Sequence, residues 1–288
     1  MTYLMNILMW KVGRRMNIKF IKRNLKIYIQ DKMGIFFSFL GVLISLVIYC
    51  FFLRKNIVQS ISQYPNAARI TDLWMMGGLI SISATTTTLS TFSQKLNDYC
   101  THKIYDFTVN ESFSTTKLDF LYVVTAIIQG FISVTIFTII IFIYLENKYN
   151  NIVNISTFID IELSSLTLII FSALFFNLIT NYIKSVNSFA SLSAIVGTLA
   201  GFLSGSYIPY GSLPKIIQKI MSCWLGYQNA AYIRFLLNKH LNIPTFIKNR
   251  LFENLGVATS INSFALCFLI SFIIILFLNI FSKKKIKY

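Results

Sequence analysis

The chain has 288 residues, 55% of them hydrophobic and 16% aromatic, with a formal charge of +16 and a mean hydropathy of +0.65. Charged residues make up 12% of it, about half the share of a soluble domain, which excludes a water-soluble enzyme and points to an all-α integral membrane protein. Nucleic-acid binding is not indicated, because the Lys and Arg residues gather at the edges of apolar runs, where membrane proteins keep them.

The first 33 residues hold eight Lys or Arg and no uninterrupted apolar core, so no cleavable signal peptide is expected. Residues 14–32 predict a basic amphipathic helix. Ile18, Ile21, Leu25, Tyr28 and Ile29 fall on one arc of it, while Arg15, Lys19, Lys22, Arg23 and Lys26 share another. Such a helix lies in the interface, held by anionic lipid at ~1 kcal/mol per basic residue.

Residues 34–53 form an uncharged run of twenty, long enough to span once, which Arg54 and Lys55 are expected to stop. The second run is 73–94. Its Thr85 to Thr88 predict hydroxyls bonded back to carbonyls one turn earlier, or a polar patch facing a substrate route. The third, 120–145, has 26 residues, enough to tilt. The fourth, 163–183, is separated from the fifth, 188–207, by Lys184 to Asn187 alone, and the two are expected to be antiparallel neighbours. The sixth run is 255–281, followed by Lys283, Lys284, Lys285 and Lys287.

Between the fifth and sixth runs the pattern changes. Gly197, Gly201 and Gly205 recur at i, i+4 spacing, which strips one helix face of bulk and lets another helix or a passing molecule come close. Pro209 is expected to end that helix. Ser212 then reads as an N-cap with Pro214 in the first turn. Ile216, Ile217, Ile220, Met221, Trp224 and Leu225 share half of the next wheel, opposite Lys215, Gln218, Lys219 and Ser222. From 214 to 226 this helix is about 20 Å long, short of the ~30 Å hydrocarbon core. A second short helix is expected over about 229–239. Residues 209–254 therefore read as an outer hairpin, re-entrant or interfacial. The expected organisation is a cytoplasmic N-terminus over 1–33 and a six-helix membrane domain over 34–288.

With six spans both termini share one side. Placing that side in the cytoplasm puts sixteen Lys and Arg inside and ten outside, which favours N-in, C-in. No P-loop, zinc-protease motif or nucleophile elbow occurs. Cys50, Cys100, Cys223 and Cys267 lie far apart, His102 and His240 sit alone, and neither a disulfide framework nor a metal site is expected. No acid falls inside the six runs, so a proton-coupled carrier is not expected either. The driving force is expected to come from a partner.

The stretch from Gly197 to Arg234 resembles the region before the last span of ABC-2 type ABC transporter permeases. The resemblance lies in Gly201, Ser204 and Gly205 at a helix end, Ile208-Pro209, Leu213-Pro214, an amphipathic helix and then Arg234. Gly226 stands where that family usually has a Pro between the two short helices. Lys103 to Phe107 is similar to the family's loop after the second span, although its Pro is absent and Asn110-Glu111 stand near its place. In element order the resemblance covers nearly the whole chain.

It implies the permease subunit of an ATP-driven exporter in a bacterial cell membrane, not itself an enzyme. A second permease, identical or related, and two ATPase subunits holding ATP and Mg would complete the assembly. The substrate leans towards a drug or a peptide such as a bacteriocin or toxin. The alternatives are export of lipid or polysaccharide, or a membrane anchor or immunity protein without transport. By the resemblance, Gly201, Ser204, Gly205 and Tyr207 belong to the substrate pathway, and Lys19, Lys22, Lys26, Tyr105 and Asp106 meet the ATPase.

Overall fold

A computed structural model describes residues 17–64, 66–110, 114–149, 154–239 and 245–257, together with Leu269, Phe272, Ile273 and Ile275. The described residues fold into helices and turns, without strands. The sixth run therefore falls largely outside the described residues. Four helical stretches are long and apolar enough to cross a membrane: Val42–Ser60, Thr115–Tyr149, Ile155–Thr180 and Val186–Leu203.

Helix α1 covers residues 17–30. After Asp31 come α2 (Lys32–Ser38) and α3 (Leu40–Ile48), and a π-helical turn at Tyr49–Leu53 leads into α4 (Arg54–Ser60). The helix does not stop at Arg54. Asp72 of the next helix receives the Arg54 guanidinium, so the charge can be kept within a helix that runs on to Ser60.

Helix α5 (Ala67–Thr86) is the central post. Every residue from Ile70 to Thr86 is buried, and α12, α9, α8, α10 and α3 all pack against it. Its continuation, α6 (Leu89–Cys100), follows a break at Thr87-Thr88 that cuts the expected run 73–94 in two. The hydroxyls of Thr85, Thr86 and Thr87 do bond to the carbonyls of Ser81, Ile82 and Ser83, at 3.0, 3.0 and 2.9 Å, as the sequence predicts. The break itself is stitched from another helix: Gln129 donates to the Thr87 carbonyl at 3.0 Å and accepts from the Thr91 hydroxyl at 2.6 Å.

A short turn, α7 (Lys103–Tyr105), runs into a π-helical segment, Asp106–Asn110. Helix α8 (Thr115–Tyr149) then runs for 35 residues, about 52 Å at 1.5 Å per residue, and so outreaches the hydrocarbon layer. Helix α9 (Ile155–Thr180) starts eight residues before the predicted run, because Asn154 caps it by accepting from the Ser156 amide. Asp160 and Glu162 thereby enter a helix able to span, and Glu162 is buried with its Oε2 accepting from the Thr135 hydroxyl at 2.6 Å. The expected absence of acids from the spans does not hold there.

Helix α10 (Val186–Leu203), capped by Ser185, takes α5, α3 and α6 as its main neighbours instead of α9. The ends of α9 and α10 meet where Phe176 and Phe189 share a cluster, but the non-helical residues 183–185 set α10 against α6.

Pro209 is not what ends α10. Gly205 does, at φ +66°, with its amide donating to the Phe202 carbonyl and the Ser206 amide to the Gly201 carbonyl. That pair of bonds is the glycine-terminated C-cap which satisfies the last carbonyls of a helix. Helix α11 (Lys215–Cys223) follows with Pro214, not Ser212, at its N-cap. Its Met221 is buried, whereas Ile216, Ile217 and Ile220 stand exposed as an apolar ridge. Trp224, extended at ψ 123°, breaks the chain before α12 (Leu225–Asn238). Gly226 sits inside the first turn of α12, where its carbonyl accepts from the Ser81 hydroxyl at 2.6 Å. Helix α13 (Thr245–Leu255) closes at Gly256, φ +69°.

Candidate functional site

The Gly201–Arg234 stretch folds into a knot around one guanidinium. Arg234 of α12 is fully buried and lies over the Trp74 indole, 4.9 Å from the ring centre. Its Nε donates to the Trp74 carbonyl at 3.0 Å, its Nη1 to the Gly256 carbonyl at 3.4 Å, and its Nη2 to the Gly205 carbonyl at 3.3 Å. Gly205 and Gly256 terminate α10 and α13, and helix C-termini favour a cation. Burial pushes the Arg234 pKa down to about 10, with Tyr227 opposing, and the group stays charged at neutral pH. Among the described residues no carboxylate pairs with it.

Room for Arg234 comes from α5. A Cβ on Gly77 would stand 2.9 Å from Arg234 Cγ, and one on Gly78 would stand 2.0 Å from Ser206 Oγ and 2.8 Å from Arg234 Nη2. Sequence reasoning passed over this pair, though two adjacent glycines in an apolar run were a visible signal.

The four residues expected on the pathway meet here. Tyr207 folds back so closely that a Cβ on Gly201 would lie 2.3 Å from its ring. Its hydroxyl accepts from Ser45 of α3 at 3.1 Å, and its ring sits edge-on to Phe202. Ser204 donates to the Gly201 carbonyl at 3.1 Å and pairs with the Ser206 hydroxyl at 2.8 Å.

The residues expected to meet an ATPase also share one region. Phe20 of α1 packs edge-on against Phe107 and Tyr122, each 5.1 Å away, in a cluster with Ile104 and Leu118. This docks α1 beside the Tyr105-Asp106 turn, leaving Lys19, Lys22, Lys26 and Asp106 exposed and Tyr105 half-buried. Arg23 departs from the predicted basic arc: it turns inward to grip Asp98 through two bonds of 2.8 and 3.0 Å. Asn24 is fully buried against Gln94, whereas Ile18 and Ile29 of the predicted apolar arc are exposed. The polar seam of Asp98, Asn24 and Gln94, with Phe20, decides which face of α1 is covered.

Two further ionic clusters brace the bundle. Lys95, fully buried in α6, bonds Asp119 and Asn177 at 2.7 Å each. Near the other end of the post, Asp72 accepts from Arg54 at 2.9 Å, from Lys148 at 2.6 Å, and from the hydroxyls of Tyr49 and Tyr149. Among the described residues no three His, Cys or carboxylate groups gather as a metal site.

A cleft of about 660 Å³ opens between α1–α3, α5–α6 and α10. Thr86, Ser90, Ser93, Gln94 and Asn97 form a polar wall, and Ala190, Ser193, Ala194, Gly197 and Thr198 face it from α10. Gly201, Ser204, Gly205 and Tyr207 do not line it. No protein-family model and no curated protein matches the chain.

Proposed function

We propose that the chain is the permease subunit of an ATP-driven exporter of the ABC-2 type, with six spans, an outer hairpin and cytoplasmic termini in a bacterial cell membrane. The observation that carries this reading is the stretch from Gly201 to Arg234. Its Gly, Ile-Pro, Leu-Pro and Arg elements occur in order, and its two ends meet where Arg234 holds the Gly205 carbonyl.

Charge placement supports the α5–α6 post as the second span. Asp72 and Lys95 are separated along it by roughly 35 Å of helix at 1.5 Å per residue, enough to bracket a ~30 Å hydrocarbon layer. Lys19, Lys22, Lys26, Tyr105 and Asp106 form the surface offered to an ATPase subunit. That partner supplies the ATP, the Mg and the driving force, and a second permease completes the assembly. Substrate passes beside α10, through the cleft, while the knot around Arg234 fixes the end of α10 under the outer hairpin.

The test is purification of the tagged chain from its native membrane. An ABC-type ATPase co-purifies in stoichiometric amount, and reconstituted vesicles export only with ATP. A chain that comes out alone from intact membranes, or that transports on an ion gradient without ATP, overturns the proposal. Recovery without an ATPase is what an anchor or immunity protein would give.

A further inference from the structure

The cleft combines three kinds of lining. Aliphatic residues such as Ile27, Leu40, Ile44 and Val186 offer an apolar surface, and the α6 wall offers neutral hydroxyl and amide groups. Among the described residues the charged side chain in its lining is Asp31, and no described Lys or Arg lines it. Lys32 follows Asp31 in sequence but does not line the cleft. Asp31 stands at the joint between α1 and α2, where its Oδ1 accepts from the Gly34 amide at 2.8 Å. Among the described residues its Oδ2 has no hydrogen-bond or salt-bridge partner. A volume of this size lies within the range of small-molecule sites.

We infer that the cleft binds cationic amphipathic molecules and that Asp31 selects their charge. The apolar side takes the hydrophobic body, the Ser, Thr, Asn and Gln oxygens solvate the cationic head, and Asp31 supplies the opposite charge. An anionic headgroup would meet a carboxylate with no basic residue among the described lining to offset it. The inference rests on reading the cleft as the substrate path, and it narrows that substrate to a charge class.

The experiment uses the full chain in detergent micelles and two probes of nearly the same shape and opposite charge, tetraphenylphosphonium and tetraphenylborate. Equilibrium dialysis against empty micelles removes simple partition. The phosphonium binds saturably and the borate does not. Asp31→Asn keeps a helix-capping side chain and weakens phosphonium binding by about three- to fivefold, the scale of an exposed ion pair, while Asp31→Glu retains it. Gly197→Leu places bulk where the wall is open and removes saturable binding without loss of helicity. Equal binding of both ions, or an Asp31→Asn chain that binds as the parent does, overturns the inference. No ATPase enters this measurement, so failed co-purification would sink the exporter reading and leave charge selection standing, and the reverse also holds.

Discussion

Gly197, Gly201 and Gly205 share one spacing in the sequence, and the structure gives each a different response to alanine. At Gly197 a Cβ meets nothing within 4 Å, so alanine costs nothing in space and stabilises the helix by about 0.5–1 kcal/mol. At Gly201 it would stand 2.3 Å from the Tyr207 ring, which must swing away from Ser45. Overpacking of ~1–3 kcal/mol and a lost hydrogen bond of ~1 kcal/mol together cost about 2–4 kcal/mol. At Gly205 the nearest atoms, Met221 Cε at 3.4 Å and Arg234 Nη1 at 3.6 Å, leave room, and the cost is the left-handed backbone at φ +66°, about 1–2 kcal/mol. Unfolding of the three purified variants, followed by intrinsic fluorescence, should rank Gly201→Ala as least stable, then Gly205→Ala, with Gly197→Ala at or above the parent. Asn at 205, which tolerates that backbone, should recover part of the loss. Truncating Tyr207 should remove the penalty at Gly201 and leave that at Gly205 unchanged. Equal effects at the three positions, or a Gly205→Ala chain as stable as the parent, would refute this account.

Three other outcomes are expected. In single-cysteine chains, a cysteine at Ser62 or the native Cys223 should react with an impermeant thiol reagent in intact cells while Cys100 should not; labelling of Cys100 alone inverts the proposed topology. Changing Lys19, Lys22 and Lys26 together to Glu should lower ATPase co-purification several-fold per inserted molecule, because all three are exposed on a helix already docked through Phe20 and Arg23; normal recovery would leave them a lipid role alone. Asp72→Asn should lower the melting temperature. Breaking a buried pair costs ~3–5 kcal/mol, discounted to about 2 kcal/mol because Arg54 and Lys148 are 37% and 34% exposed and can turn to water. An unchanged melting temperature would show that the cluster does not brace the bundle.

The apolar stretches of α3, α8, α9 and α10 were legible because residues facing lipid must be apolar whatever the fold. Their ends were not. Arg54 reads as a stop until Asp72 is seen to receive it, and residues 155–162 read as loop because the run was measured from the last charge instead of from the cap at Asn154. Helix α5 shows the limit most clearly. Protein surrounds it from Ile70 to Thr86, so its Ser81, Thr85 and Thr86 carry hydroxyls that lipid would not have allowed in such number. Polarity in a membrane sequence reports exposure to lipid, not position along the normal, and a post enclosed by other helices escapes that measure.

The same reasoning separates what could be read of the site from what could not. Gly201, Ser204, Gly205 and Tyr207 lie within seven residues, so their meeting is local and was visible in the chain. The contact of Gly205 with Arg234 is not local, and it depends on the bare flank of Gly77 and Gly78 in a third helix. The cleft is less local still: its walls come from residues 27–44, 86–97 and 186–198, and Asp31 lines it on an α1 docked through Arg23 onto Asp98 of α6 and through Phe20 onto Phe107 and Tyr122. A change at Asp98, which releases Arg23, should therefore disturb the cleft without touching its lining. Asp98→Asn would weaken phosphonium binding even though residue 98 is not part of the wall, and binding unchanged in that variant would show that Phe20 and the Asn24–Gln94 bond hold α1 in place without the Arg23–Asp98 pair.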